Sequence, residues 1–136
     1  MTLDKKDKKA LSDLRMEKAR EFMADAADTL ERGRHRTAIN RSYYAILNAA
    51  RALLILSGHN PESHDGVITL LSLHFIKNGL LPVEIIKSFK TLLARRTDVD
   101  YGDFDTAGAE EAESSVSLAR AAIDSIDKLR LSLIDE

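Results

Sequence analysis

The spacing of apolar and polar residues predicts a succession of amphipathic helices and almost no strand. Apolar side chains recur at helical intervals, whereas β-branched and aromatic residues never alternate with polar ones for long enough to form a strand. The predicted helices cover about residues 8–32, 36–57, 64–77, 82–95 and 106–133, with fraying over 1–7 and a loop over 98–105. Short turns favour antiparallel neighbours, so we expect an all-α fold, an up-and-down four-helix bundle with an additional short helix.

The second predicted helix carries a broad apolar surface and one narrow polar stripe. On a helical wheel its apolar and small residues surround most of the circumference, which is typical of a buried helix that neighbours approach closely. The remaining arc holds five hydrogen-bonding side chains about one turn apart: Asn40, Arg41, Tyr44, Asn48 and Arg51. A polar stripe on a buried helix costs free energy unless a polar partner meets it, so these residues are candidates for ligand binding.

Composition narrows the classes of function. The chain has 136 residues and no cysteine, which suits one domain over 1–136 in a reducing compartment. No apolar run approaches the roughly 20 residues that span a bilayer, and the N-terminus lacks an apolar signal core, so we expect a cytoplasmic protein without a membrane. The net charge of −2 excludes a uniformly basic surface, so any phosphate site must be local. We interpret the basic run at 32–36 as a solvated turn.

Three separated segments resemble the HEPN domain in its small stand-alone bacterial and archaeal form. They are NRSYYAILNAARALL at 40–54, SHDGV at 63–67 and RTDVDY at 96–101, and the resemblance covers nearly the whole chain. It implies a bundle of four long helices, usually a homodimer. It also implies membership of a family that includes metal-independent endoribonucleases and toxins encoded beside a minimal nucleotidyltransferase antitoxin.

The ribonucleases of that family carry an arginine and, several residues later, a histidine between the last two helices. Arg96 matches the arginine, but Tyr101 stands where the histidine would be. Cleaving RNA without a metal requires a base, an acid and a cation at the phosphoryl oxygens, and an arginine fork supplies the cation. An ordinary tyrosine is ionised in only about one molecule in a thousand at neutral pH, whereas a histidine titrates near 6.5. His64 matches the family's histidine at the head of the third helix and is a stronger candidate than three others: His35, His59 and His74.

Acidic residues after the fourth predicted helix leave other interpretations open. A binuclear metal site could use the carboxylates of Asp98, Asp100, Asp103 and Asp105, but their spacing lacks the glycine and terminal glutamate of a calcium loop. We therefore expect no metal and no cofactor. The acids could instead pair with nearby or cross-bundle arginines and form a structural network that binds no ligand.

The favoured hypothesis is a homodimer whose polar groove binds RNA or a nucleotide through phosphate, in a toxin-antitoxin setting. The groove would combine the polar stripe with Asp100, and an endoribonuclease would use Arg96, Tyr101 and His64. One alternative is a catalytically silent module that docks a nucleotidyltransferase and is modified by it on Tyr101. Another is a purely structural bundle. The hypothesis requires that Arg51 and Arg96 converge on one anion pocket.

Overall fold

The computed structural model describes residues 3–102 and 108–135, and these residues form an all-α bundle. The α-helices are α1 (Lys5–Glu31), α2 (His35–Leu56), α3 (His64–Leu71), α4 (Glu84–Tyr101) and α5 (Ala109–Ile134). A π-helical turn, Ser72–Ile76, continues α3. No strand occurs within the described ranges. The predicted fold class is confirmed: α1, α2, α4 and α5 are the long helices, and α3 is the additional short one.

The first helix begins earlier than the sequence predicted. Asp4 is its N-cap, and the carboxylate accepts a hydrogen bond of 2.8 Å from the backbone N–H of Asp7. Such a cap satisfies one of the free N–H groups of the first turn and stabilises the helix end. Lys5–Asp7, which belong to the segment expected to fray, form the first turn of this helix. At the other end, Gly33 adopts a φ of +75°, as a residue beyond a helix C-terminus often does.

The fourth helix continues through the segment predicted as a loop. It runs to Tyr101, and Gly102 leaves the helix in an extended conformation, so a loop beginning at residue 98 is wrong. The charged segment lacks an apolar repeat, but contacts with α2 hold its last turn. Val99 packs partly buried against the core, and its carbonyl accepts a hydrogen bond of 2.9 Å from Arg36 Nη2. The continuation matters because it fixes Arg96, Asp100 and Tyr101 on one helix.

The second helix is the centre of the bundle. It packs against α1, α4 and α5, and twelve of its residues are buried. Small side chains such as Ala45, Ala49 and Ala52 are fully buried, which lets neighbouring helices approach closely. Tyr43 and Phe89 are the largest buried side chains, and their rings meet edge to face with centroids 5.6 Å apart. None of the helices within the described ranges is long and apolar enough to cross a bilayer.

A buried arginine joins α5 to α1. Arg130 is 6% exposed, and its guanidinium contacts Asp13 at 2.7 Å, Asp127 at 2.8 Å and the Ser12 hydroxyl at 3.3 Å. Ser12 in turn donates a hydrogen bond of 2.7 Å to the carbonyl of Ala52 on α2. The network therefore links three helices, and none of its members belongs to the polar stripe of α2.

Candidate functional site

Arg96 of α4 lies in a cage of three tyrosine rings. Its guanidinium carbon is 5.3 Å from the ring centroid of Tyr43, 5.5 Å from that of Tyr44 and 5.8 Å from that of Tyr101. A cation over aromatic faces is attracted by their negative electrostatic potential, and more strongly where water is excluded. Because the Arg96 side chain is only 11% exposed, the cage holds the guanidinium in one place.

The hydrogen-bonding capacity of Arg96 is only partly used. Nη2 donates to the Tyr44 hydroxyl at 3.4 Å, and Nε lies 3.1 Å from a carboxylate oxygen of Asp100. The Nε–H bond does not point at that oxygen, and this buried nitrogen has no hydrogen-bond acceptor among the described residues. Asp100 therefore offsets the charge of Arg96 but does not accept a hydrogen bond from its Nε–H. A guanidinium has five donors, so Arg96 retains donors for another oxyanion.

A chain of polar side chains connects Arg96 to the start of α2. Asp100 accepts hydrogen bonds from Asn40 Nδ2 at 3.1 and 3.2 Å, and Asn40 Oδ1 accepts one of 2.8 Å from Arg41 Nη1. Three residues of the polar stripe, Asn40, Arg41 and Tyr44, are thus brought together with Arg96 and Asp100. The network interpretation is partly realised here, since Arg41 reaches Asp100 through Asn40 rather than directly.

An open cleft of about 430 Å³ lies beside this chain. Its walls are formed by the N-terminal turns of α2 and the last turn of α4, with the lining residues Arg36, Thr37, Asn40, Arg41, Val99 and Asp100. Arg36 and Arg41 contact no carboxylate in the part of the chain that the structure describes. Arg36 belongs to the basic run interpreted as a solvated turn, and the structure places it at a cleft instead. The missed signal was its position one turn before Asn40 and Arg41.

His64 is connected to Arg96 through a buried tyrosine. The hydroxyl of Tyr43 is hydrogen-bonded to His64 Nδ1 at the start of α3, and the ring of Tyr43 lies under the Arg96 guanidinium. Burial raises the pKa of Tyr43 well above its ordinary value of 10, although the charge of Arg96 opposes that effect. A neutral hydroxyl can donate to or accept from a ring nitrogen, so Nε2 of His64 remains for a ligand. The sequence placed Tyr43 on the apolar surface of α2 as a core residue with a tethered hydroxyl, but it did not identify His64 as the partner of that hydroxyl.

The far end of the polar stripe belongs to a separate cluster. Asn48 donates to the carbonyl of Tyr44 at 2.8 Å and so bonds its own helix. Arg51 approaches Asn60 at 3.4 Å, and no contact within the described residues joins it to Arg96. Seven residues separate Tyr44 from Arg51, which places them about 10 Å apart along the helix axis. The single pocket expected for Arg51 and Arg96 is therefore corrected to two clusters on one face of α2.

The acidic segment forms no metal site in the described ranges, where no group of three His, Asp or Glu residues could hold an ion. Asp98 is exposed and Asp100 faces Arg96, while Asp103 and Asp105 lie outside the described residues. Tyr101 is 74% exposed, although one face of its ring covers Arg96.

Fold and site together define a class of protein: an all-α bundle in which an arginine near the end of the fourth helix meets a polar stripe on the second. Family comparison gives that class a name. The HEPN domain model matches residues 12–129, and the chain belongs to the HEPN family.

Related proteins align with most of this chain. One is a UPF0332 protein of Thermotoga maritima, 31% identical over 112 residues, which are 82% of this chain and 85% of the relative. Another, from Methanocaldococcus jannaschii, bears the name "Putative toxin MJ0605" and is 34% identical over 83% of this chain and 84% of its own. The crystal structure of TT1696 from Thermus thermophilus has the same fold, with a TM-score of 0.75 at 18% identity, and covers 87% of this chain and 97% of that one.

Proposed function

We propose that this HEPN protein has a toxin-like role and that it binds RNA through a phosphate at Arg96 and cleaves it there without a metal. One observation carries the proposal: a nearly buried arginine, caged by three tyrosines and with an unmet donor, is linked through one of those tyrosines, Tyr43, to His64. The name of the Methanocaldococcus relative supports the toxin-like role. The partner in this setting would be a minimal nucleotidyltransferase antitoxin, and the acting form a homodimer.

The proposed chemistry is internal phosphoryl transfer. The 2′ oxygen of the ribose attacks the adjacent phosphorus and gives up its proton, while the 5′ oxygen leaves and takes one, so the products are a 2′,3′-cyclic phosphate and a 5′-hydroxyl. Arg96 stabilises the charge on the phosphoryl oxygens, since its donors are fixed before the reaction begins. Nε2 of His64 moves a proton, and Tyr43 holds the imidazole by its other nitrogen. Tyr101 covers the arginine.

The test is cleavage of a structured and a single-stranded RNA in EDTA by purified protein. We expect Arg96→Ala to reduce the cleavage rate at least a hundredfold, as the loss of one preorganised charge-stabilising donor commonly does. Arg96→Lys keeps the charge but not the fork, and it should recover only part of the rate. Arg120→Ala, which removes an exposed arginine of α5 outside both clusters, is the matched control. Equal cleavage by the wild type and Arg96→Ala would refute the assignment.

A second candidate function is supported by the exposure of Tyr101, which is 74% accessible. In this version the protein docks a nucleotidyltransferase, and the Tyr101 hydroxyl accepts a nucleotidyl group from a nucleoside triphosphate with release of pyrophosphate. Intact mass after incubation with the cognate nucleotidyltransferase and ATP should rise in the wild type but not in Tyr101→Phe. An unchanged mass in both proteins would exclude modification.

A further inference from the structure

Two arginines from different helices converge on one amide oxygen. Arg15 of α1 donates to Asn60 Oδ1 at 2.9 Å, and Arg51 of α2 approaches the same oxygen at 3.4 Å. Arg15 also reaches the backbone carbonyl of Arg51 at 3.4 Å. Asn60 belongs to the segment between α2 and α3, so three separate parts of the chain meet here. The two guanidinium groups are therefore close neighbours, because both approach the same oxygen.

The positive charges of this cluster have no acidic partner in the described ranges. Burial lowers the pKa of Arg15, and the charge of Arg51 lowers it further, so each cation acts against the other. Arg51 also has a buried Nε without an acceptor in the described residues, a feature that it shares with Arg96. A neutral amide oxygen accepts hydrogen bonds but offsets no charge. The fold therefore holds two positive charges close together, and a bound anion would reduce their repulsion.

Other arginines of the protein show how their charge is offset where an acid is within reach. Five of them have a carboxylate oxygen within 3.7 Å: Arg20, Arg32, Arg95, Arg96 and Arg130. By contrast, Arg15 and Arg51 are both partly buried, and they share a neutral acceptor. Burial without an acid is a property that this pair shares with Arg41 of the first cluster, and it separates all three from exposed arginines whose charge is solvated.

We propose that Arg15, Arg51 and Asn60 form a second phosphate-binding site, which holds another phosphate of the RNA strand bound at Arg96. This assignment of the strand rests on the proposed function. Arginine forks match phosphate oxygens in pairs, and the amide nitrogen of Asn60 remains able to donate. Arg51 lies on the same stripe as Tyr44 but about 10 Å further along α2, and it approaches Asn60 rather than the cage around Arg96, so we assign each cluster its own phosphate. The ligand must carry at least two phosphates in line.

Binding of a fully 2′-O-methylated, fluorescein-labelled RNA decamer tests the second site, because such RNA lacks the attacking hydroxyl. We expect Arg15→Gln/Arg51→Gln to weaken binding about tenfold near 100 mM salt. The slope of log affinity against log salt should become less steep by about 0.7, because a single strand contributes roughly that much per neutralised phosphate. A decamer affinity equal to that of Arg120→Gln would overturn the proposal.

A second measurement uses inorganic phosphate alone and needs no RNA. Phosphate at matched ionic strength should raise the melting temperature of the wild type by more than that of Arg15→Gln/Arg51→Gln, which keeps only Arg96, and it should still raise that of Arg96→Gln. Because the double variant removes a repulsion, we expect it to fold; Arg15→Gln alone serves if it does not. An equal shift in all proteins would overturn the site.

The two proposals fail in different ways. If Arg96→Gln cleaves RNA like the wild type while phosphate raises the melting temperature of the double variant by less than that of the wild type, the second site stands and the proposed function falls. If Arg96→Gln loses cleavage while the double variant binds the decamer and phosphate normally, the proposed function stands and the second site falls.

Discussion

The contact between Tyr43 and His64 makes a quantitative prediction for stability. The Tyr43 side chain is fully buried, and its hydroxyl is bonded to a half-buried imidazole at the start of α3. Tyr43→Phe removes the hydroxyl and keeps the ring, and it leaves His64 able to turn toward water. A hydrogen bond of this kind contributes a net 0.5 to 1.5 kcal/mol, so we expect a loss of about 1 kcal/mol in the free energy of unfolding.

Replacement of the other partner, His64, should lower the free energy of unfolding by more. His64→Leu fills the same space with an apolar side chain, excludes water and leaves the Tyr43 hydroxyl buried without a partner. The penalty for such an orphaned group is about 1 to 3 kcal/mol, and we take about 2 kcal/mol for a hydroxyl inside this core. In the double variant Tyr43→Phe/His64→Leu, no hydroxyl remains without a partner. Its loss should therefore be close to that of Tyr43→Phe alone, roughly 2 kcal/mol less than additivity predicts.

Urea denaturation of the four proteins at pH 7.5 measures this coupling energy. The slope of free energy against urea should be the same in all four, since the fold and the surface exposed on unfolding are unchanged. His35→Leu makes the same substitution at the first residue of α2 and should show no coupling to Tyr43→Phe. Additive losses for Tyr43 and His64 would refute the hydrogen bond, and with it the argument that Tyr43 positions the imidazole.

Three further predictions concern charged groups. Arg130→Met should lower stability by about 2 kcal/mol and the melting temperature by roughly 5 to 10 °C in calorimetry, less than for a fully buried pair because Asp13 is 45% exposed. Hydrogen bonds from Lys9 and Arg130 lower the pKa of Asp13 below its ordinary 3.8. The difference in the free energy of unfolding between the wild type and Asp13→Asn should therefore be fully present above pH 3.8 and should disappear as the pH falls below that value. Asp100→Asn should tighten binding of the 2′-O-methyl decamer about fivefold, measured by fluorescence anisotropy, because it removes the negative charge beside Arg96; weaker binding would mean that Asp100 orients the arginine.

Periodicity and turn residues were sufficient to predict the helices, because burial in a bundle repeats along the chain at helical spacing. The same method failed for the end of α4, where the apolar repeat stops after Arg95. That turn is stabilised by single contacts with α2, such as the hydrogen bonds from Asn40 to Asp100, and these involve residues 60 positions apart. Nothing local in the sequence encodes such pairs.

The polar stripe shows a similar limit for the site. A helical wheel gives the angular position of a side chain but not its neighbours, so Tyr44 and Arg51 share a face although they meet different partners. The wheel also could not identify Arg15 or Asn60, which reach the stripe from α1 and from the segment before α3. The residues of the site were therefore partly predictable, whereas its division into two clusters required coordinates.

The tyrosine at position 101 changes which helix can supply the proton carrier. In the family pattern the arginine and the histidine follow one another, but here the equivalent position covers Arg96 with an exposed phenol ring. The imidazole nearest to the arginine by contact is His64, which is linked to it through the buried ring of Tyr43. If RNA is cleaved, the charge-stabilising group thus lies on α4 and the proton carrier at the head of α3, with α2 supplying the residue that connects them. Such an arrangement depends on the packing of three helices, so a change at Tyr43 should affect catalysis even though this residue never reaches solvent.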